Sequence, residues 1–329
     1  MNKIYIIAET ACSHDGSVNL LKKLIREAIK ANFQAIQLQI WDKNFMVSKD
    51  HKDYNLLKNV EISYKNWSYI IKYIRKLSSK IDIICCVYEL KTLNFCIKNK
   101  IKFFKIHSSD LGNFQLLEKV SKHASRIDLS VGGSTINEIE KSIKYIKKFR
   151  ISIWLMYGIQ LFPTDPKKIN ISLVKKIAKK YNLKLGYQDH SDFDLNGYAM
   201  PAAAIGNGIK IIEKHITDEN KKNRTDGASA IEIKNYKTFI DICKNSENLI
   251  LNKNSKKLSN DELKYRNYSK KQILYKQNFP KGTLIKEENL IFLRTSKKGE
   301  IVDNLHLFLN KKLIKSVRKL SNLKKKDFA

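Results

Sequence analysis

Short apolar runs of about six residues, rich in Ile, Val or aromatic side chains, recur along most of the chain. They predict strands at Ile4–Ala8, Gln34–Gln39, Asp82–Val87, Lys102–His107, Arg126–Ser130, Ile151–Met156, Lys184–Gln188 and Ile209–Lys214. Most gaps between them carry apolar positions at helical spacing. Leu20, Leu21, Leu24, Ile25, Ala28 and Ile29 follow the first run, and Ile136, Ile139, Ile143 and Ile146 follow the fifth. Ser134 or Thr135, with Glu138 after it, reads as a capping box opening the latter helix. Eight strands alternating with helices predict an α/β fold, a (β/α)8 TIM barrel. The rival, a doubly wound sheet, ordinarily carries G-x-G-x-x-G after its first strand, and that motif is absent.

The pattern breaks after Ile242. Residues 246–268 are polar and charged, as a linker or a solvated helix would be. Residues 269–329 show short apolar runs punctuated by Pro280–Gly282 and Lys297–Gly299. The expected organisation is a catalytic barrel at 1–245, a linker at 246–268 and a small domain at 269–329. A domain that small is marginal alone and should pack on something.

With 43% hydrophobic and 29% charged residues, a chain of 329 residues can build a sizeable core. No run approaches the roughly 18 apolar residues of a membrane span. The run Ile4–Ala8 meets Glu9 at once and does not read as a signal peptide. A soluble, cytoplasmic protein with no membrane partner is therefore expected. Cys12, Cys85, Cys86, Cys96 and Cys243 are odd in number and form no C-x-x-C pair, which suits reduced thiols rather than disulfides or a cysteine zinc site. The net charge is +31, from 63 basic and 32 acidic residues. It is spread out: residues 246–329 hold 21 and 8 of them, the rest 42 and 24. Without a single basic stripe, nucleic acid is not the expected partner, although the field would draw anionic substrates.

Barrel enzymes place their chemistry on the loops that follow the strands. Here the predicted strand ends carry Glu9, Gln37 and Gln39, Lys105 to Asp110, Ser130, Gln160 and Phe162, Gln188 to Ser191, and Glu213 to His215. A lone histidine at a strand end is ordinarily structural. His190 and His215, however, end neighbouring strands, and two neutral imidazoles there can converge on one divalent cation. Glu9 would lie beside them once strand eight pairs with strand one. Such a site polarises a carbonyl. Lys105, Ser108 and Ser130 suggest an anion pocket, since an ammonium inside the strand run Phe103–Ile106 needs a partner.

Taken in order, these motifs resemble the sialic acid synthase family across nearly the whole chain. Its A-E-I-G-x-N-H-x-G pattern appears as Ala8-Glu9-Thr10-Ala11-Cys12-Ser13-His14-Asp15-Gly16, and F-K-I-A-S-x-D/E-x-x-N as Phe104 to Asn113. L-S-T-G is Leu129-Ser130-Val131-Gly132, Y-P-T is Phe162-Pro163-Thr164, and G-x-S-D-H is Gly186 to His190. I-I-E-K-H-x-T-x-D is Ile211 to Asp218 with one position closed up. Lys281-Gly282-Thr283-Leu284-Ile285 and Arg294 with Gly299 resemble the family's C-terminal antifreeze-like (SAF-type, mostly β) domain.

The resemblance implies a transferase that condenses phosphoenolpyruvate with an amino-sugar aldehyde and releases phosphate, aided by a divalent metal, Mn2+ or Mg2+. It implies Lys105, Ser108 and Ser130 around the phosphate, Asp226 and Arg294 on the sugar, and Glu9 or Asp110 orienting water. It also implies a domain-swapped homodimer in which Arg294 reaches the partner's site. Departures narrow the reading. Gln37 stands where the family has a phosphate-binding Lys, Ser13 where it has Asn, and Cys86 where Thr is common. Gln160 replaces an Asn and Phe162 a Tyr at the sugar, which suggests an acceptor other than N-acetylmannosamine, as for pseudaminic or legionaminic acid. Two alternatives stay open: a related barrel enzyme with another aldehyde acceptor, and an inactive homologue that binds sugar or nucleic acid.

Overall fold

The structure, a computed structural model, describes residues 3–251, 258–296 and 299–328. Eight parallel strands close into a ring: β1 (Tyr5–Glu9), β2 (Ala35–Ile40), β3 (Asp82–Val87), β4 (Phe103–Ile106), β5 (Arg126–Ser130), β6 (Ser152–Tyr157), β7 (Lys184–Asp189) and β8 (Ile211–Thr217). Each strand pairs with the next, and β8 pairs back to β1 with Glu9 opposite His215. β3 and β5 occupy the predicted residues. The others shift by one to three positions, because pairing and not hydropathy sets a strand's end. β1 runs on through Glu9, which pairs in register with Gln37, and β8 runs on through His215 to Thr217.

Helices follow each strand. The helix Val18–Lys30 is capped by the Ser17 side chain and buries Leu21, Leu24, Ile25 and Ala28. The helix Ile136–Lys147 opens on a capping box in which Thr135 and Glu138 bond each other's backbone N–H groups. The resulting core lies between helices and ring, built from outward-facing strand residues such as Ile6, Ile36, Cys85, Leu129 and Ile212. All five thiols are buried and free.

Alternation sends the neighbouring residues into the ring. Ile7, Ala35, Ile84, Trp154, Met156 and Ile211 form an inner apolar plug. Below it the Arg126 guanidinium lies 3.7 Å from the Trp154 ring centroid and 2.8 Å from Asp128. Burial pushes the Asp128 carboxyl up to about 6 against the pull of Arg126. Above the plug the inner face turns polar, and that change positions the site. The upper ends of β5, β6 and β7 come close enough to require glycine: a Cβ on Gly158 would lie 2.4 Å from the Gln188 carbonyl oxygen.

The chain divides into two compact units, Met1–Leu251 and Asn252–Ala329. The stretch 246–268, expected as linker or solvated helix, includes the end of the helix Tyr236–Leu251 and a second helix, Asn260–Ser269. Residues 252–257 of that stretch, and Lys297 and Lys298 of the expected turn, lie outside the described residues. The second unit has its own core, including Ile273, Tyr275, Phe279, Ile285, Leu313 and Phe328. After the short strand β9 (Ile231–Glu232), which pairs with β8, its regular strands are β10 (Gln272–Tyr275) and β11 (Leu290–Leu293), paired antiparallel. Among the described residues no helix is long and apolar enough to cross a membrane.

Candidate active site

A cavity of about 780 Å³ opens at the C-terminal ends of the strands. Eight of the residues expected at a site line it: Glu9, Lys105, Asp110, Gln160, Phe162, His190, His215 and Asp226. Gln37 and Ser130 are fully buried inside the ring and do not reach the cavity wall, and Ser108, which opens the turn Ser108–Asp110, does not line it either. Arg294 is exposed on the second unit, where it lines a cavity of about 810 Å³ with Lys264, Arg266 and Lys270.

One hydrogen-bonded chain crosses the floor. Tyr88 Oη donates to Gln39 Oε1 at 3.1 Å, and Gln39 Nε2 donates to Glu9 Oε1 at 2.5 Å. Lys105 Nζ then lies 3.2 Å from Glu9 Oε2 and 2.5 Å from Glu213 Oε1. Gln188 Nε2 donates to the same Glu213 oxygen at 2.9 Å, and Ser130 Oγ donates to Gln188 Oε1 at 2.8 Å. The Ser130 hydroxyl, expected on an anion, is thus engaged with Gln188, and of the three expected anion ligands only Lys105 faces the cavity.

These groups set each other's protonation. Burial alone would raise the Glu9 carboxyl, yet the Lys105 ammonium, with the hydrogen bond from Gln39, holds it well below the usual carboxylate range. Burial and the Glu9 charge push Glu213 well above that range. The Lys105 ammonium, flanked by two carboxyls, stays charged despite burial. The floor therefore holds two carboxyls driven in opposite directions, Glu9 toward its ionised form and Glu213 toward its neutral one, around one cation. Among the described residues, Gln37, beside Glu9 in register, has neither amide atom hydrogen-bonded, and Glu213 Oε2 is likewise unpartnered.

The two imidazoles face each other with ring centroids 5.1 Å apart. Burial, then the neighbouring His215, pushes His190 well below its ordinary value; burial lowers His215 against the pull of Glu9 and Asp226. Both rings are therefore neutral, with lone pairs available. His190 Nδ1–H donates to the Ile159 carbonyl at 2.8 Å, which leaves Nε2 as its free acceptor. His215 Nε2 lies 3.6 Å from Glu9 Oε2, and its Nδ1 has no partner. Phe162 covers both rings at 4.5 and 5.5 Å between centroids. Among the described residues no three His, Cys, Asp or Glu side chains group to hold a metal alone. The donor set suits a divalent cation bound by two imidazoles, its other positions left to water or substrate oxygen.

The loops after β1 and β8 are laced together over this pair. Cys12 N–H donates to Asp226 Oδ2 at 3.0 Å, and Thr225 N–H to Asp15 Oδ1 at 3.2 Å. Arg224 bridges Asp15 at 3.1 Å and Asp218 at 2.8 Å. The lacing holds Asp226 in a left-handed conformation, φ 62°, at the cavity edge. On another side the short helices Lys43–Met46 and Tyr54–Val60 supply an apolar wall of Phe45, Met46, Val47, Leu56 and Leu57.

Tyr88 and the apolar wall were not expected at the site, while Gln39, Gln188 and Glu213 were expected at strand ends but with no role assigned. The signal for two of them was the two-residue spacing that puts Gln188 with His190 and Glu213 with His215 on one strand face.

The NeuB family model matches residues 24–256 of this chain. The chain is 28% identical to an uncharacterized protein, MJ1065, of Methanocaldococcus jannaschii, over 94% of this chain and 90% of that one. It is 25% identical to the N,N'-diacetyllegionaminic acid synthase of Campylobacter jejuni, over 88% and 90%. The crystal structure of an N-acetylneuraminic acid synthetase from Leptospira borgpetersenii, in complex with citrate, superposes with a TM-score of 0.73 at 25% identity, covering 82% of this chain and 93% of that one.

Proposed function

The chain belongs to the NeuB family and is an enzyme of that synthase kind, and from that premise we propose that it condenses phosphoenolpyruvate with the open-chain aldehyde of an acetamido sugar, releasing phosphate and a nonulosonic acid. The observation that carries the reading is one cavity in which the Lys105 ammonium and two neutral imidazoles, His190 and His215, face the same space.

In the reaction the methylene carbon of phosphoenolpyruvate bonds to the aldehyde carbon, water adds at the phosphate-bearing carbon, and the C–O bond to phosphate breaks. His190 and His215 would hold a divalent cation, Mn2+ or Mg2+, which when bound supplies Lewis acidity at the aldehyde oxygen. Lys105 binds the anionic substrate and keeps Glu9 ionised. Glu9, oriented by Gln39, accepts the proton of the attacking water; Asp110, on the cavity wall, is the second candidate. Glu213, pushed toward its neutral form by burial and the Glu9 charge, limits the negative charge that a trianionic substrate meets. Phe162 excludes water from the imidazole pair, and Asp226 with Gln160 orients the acceptor's hydroxyls. The reading includes an antifreeze-like second domain and a homodimer in which Arg294 of one protomer completes the cavity of its partner.

The test measures phosphate release and product mass with phosphoenolpyruvate, Mn2+ and a panel of acetamidohexoses. Phosphate release tied to a nine-carbon keto acid is the expected result, lost in His215→Ala. Unchanged turnover in that variant would overturn the ligand assignment, and heat from neither phosphoenolpyruvate nor Mn2+ in calorimetry would overturn the reading.

A further inference from the structure

Asp189 and Lys214 form an ion pair that the reaction above does not use. Each precedes one of the two histidines, and the two are directly opposite in the β7–β8 register. Strand alternation puts them on the helix-facing side, because Gln188, His190 and His215 line the cavity. Both are fully buried, with Lys214 Nζ 2.9 Å from Asp189 Oδ2. Lys214 Nζ also donates to the Ser191 carbonyl at 3.0 Å. Asp189 Oδ1 accepts from Ser191 N–H at 3.0 Å and from Ser191 Oγ at 2.6 Å. The pair thus pins the end of β7, the residue after His190 and the middle of β8 to one another.

The two imidazoles differ in what else fixes them. His190 is held through its ring by Ile159, and its carbonyl accepts from Thr164 N–H and Ser229 Oγ, both at 2.8 Å. His215 has no hydrogen bond at Nδ1 among the described residues, so its ring is placed by its backbone and by packing against Phe162 and His190. A buried ion pair is no general requirement for stability, since apolar residues of similar volume serve as well. It is compatible with one register only, because a slide of β8 along β7 would separate the charges.

We propose that Asp189 and Lys214 are positioning residues that set the spacing of His190 and His215 for a divalent cation. This rests on the reading of those histidines as the cation site. The test titrates Mn2+ into the full chain by calorimetry and records the visible spectrum with Co2+, alongside the melting temperature. In the double variant Asp189→Leu, Lys214→Met, which removes both charges, Mn2+ affinity falls about 10- to 100-fold and the Co2+ spectrum changes. Lys214→Arg, which keeps the charge, recovers affinity toward wild type. Should the double variant fail to fold, Ser191→Ala, which removes one Asp189 contact, serves in its place with a smaller drop of about threefold. A folded variant with wild-type Mn2+ affinity and an unchanged Co2+ spectrum overturns the proposal alone. Wild-type chain that binds neither ion overturns the cation reading and the proposal with it.

Discussion

Replacing Lys105 by Met removes the ammonium that lies between Glu9 and Glu213. All three side chains are at most 3% exposed, so water does little to screen what remains. Breaking a buried pair by deleting one partner costs about 3–5 kcal/mol. The pH dependence separates this cause from simple loss of packing. In the wild type the Glu9 carboxyl titrates below its ordinary 4.5, so its contribution is present above that value and is lost as pH falls through the folded one. Without Lys105, burial raises Glu9 instead. The folded variant then takes up a proton that the unfolded chain lacks, and its deficit shrinks on acidification by up to about 1.4 kcal/mol per pH unit. Urea unfolding at about pH 7.5 and about pH 5.5 measures both deficits. A deficit under about 1 kcal/mol at the higher pH, or one that grows on acidification, would show that Lys105 does not hold the two carboxyls as described.

Because burial keeps His190 and His215 below the ordinary 6.5, Mn2+ affinity should stay flat as pH falls through that value; a tenfold loss between about pH 7 and pH 6 would contradict the neutral pair. Thr135→Ala removes half of a capping box that does not line the cavity, costing about 1 kcal/mol in denaturant unfolding with no change in KM.

The barrel was legible because its strands and helices carry different periods. β3 (Asp82–Val87) carries the unbroken apolar run Ile83–Val87, so its composition alone marks it as a strand. Glu9 and His215 were legible as strand-end residues, yet the strands that carry them run further than hydropathy suggests, since their backbone groups are satisfied by neighbours far away in sequence. Lys105 announced itself by being charged inside an apolar run. Gln188 and Glu213 did not, because their part depends on which side chain lies across the ring, and register is set by closure of all eight strands. The apolar wall of Phe45, Met46, Leu56 and Leu57 was hidden for another reason. It sits on two helices of four and seven residues, too short to show a period.

The lacing of the first and last loops has a bearing on how the protein comes into being. Asp15 and Arg224 stand 209 residues apart, and their contact joins the earliest-made strand to the last one of the ring. A chain still emerging from the ribosome can hold His190, but neither His215 nor the anchored Asp226, until β8 slots in beside β1. The candidate centre is thus complete only when the last strand of the ring has joined the first.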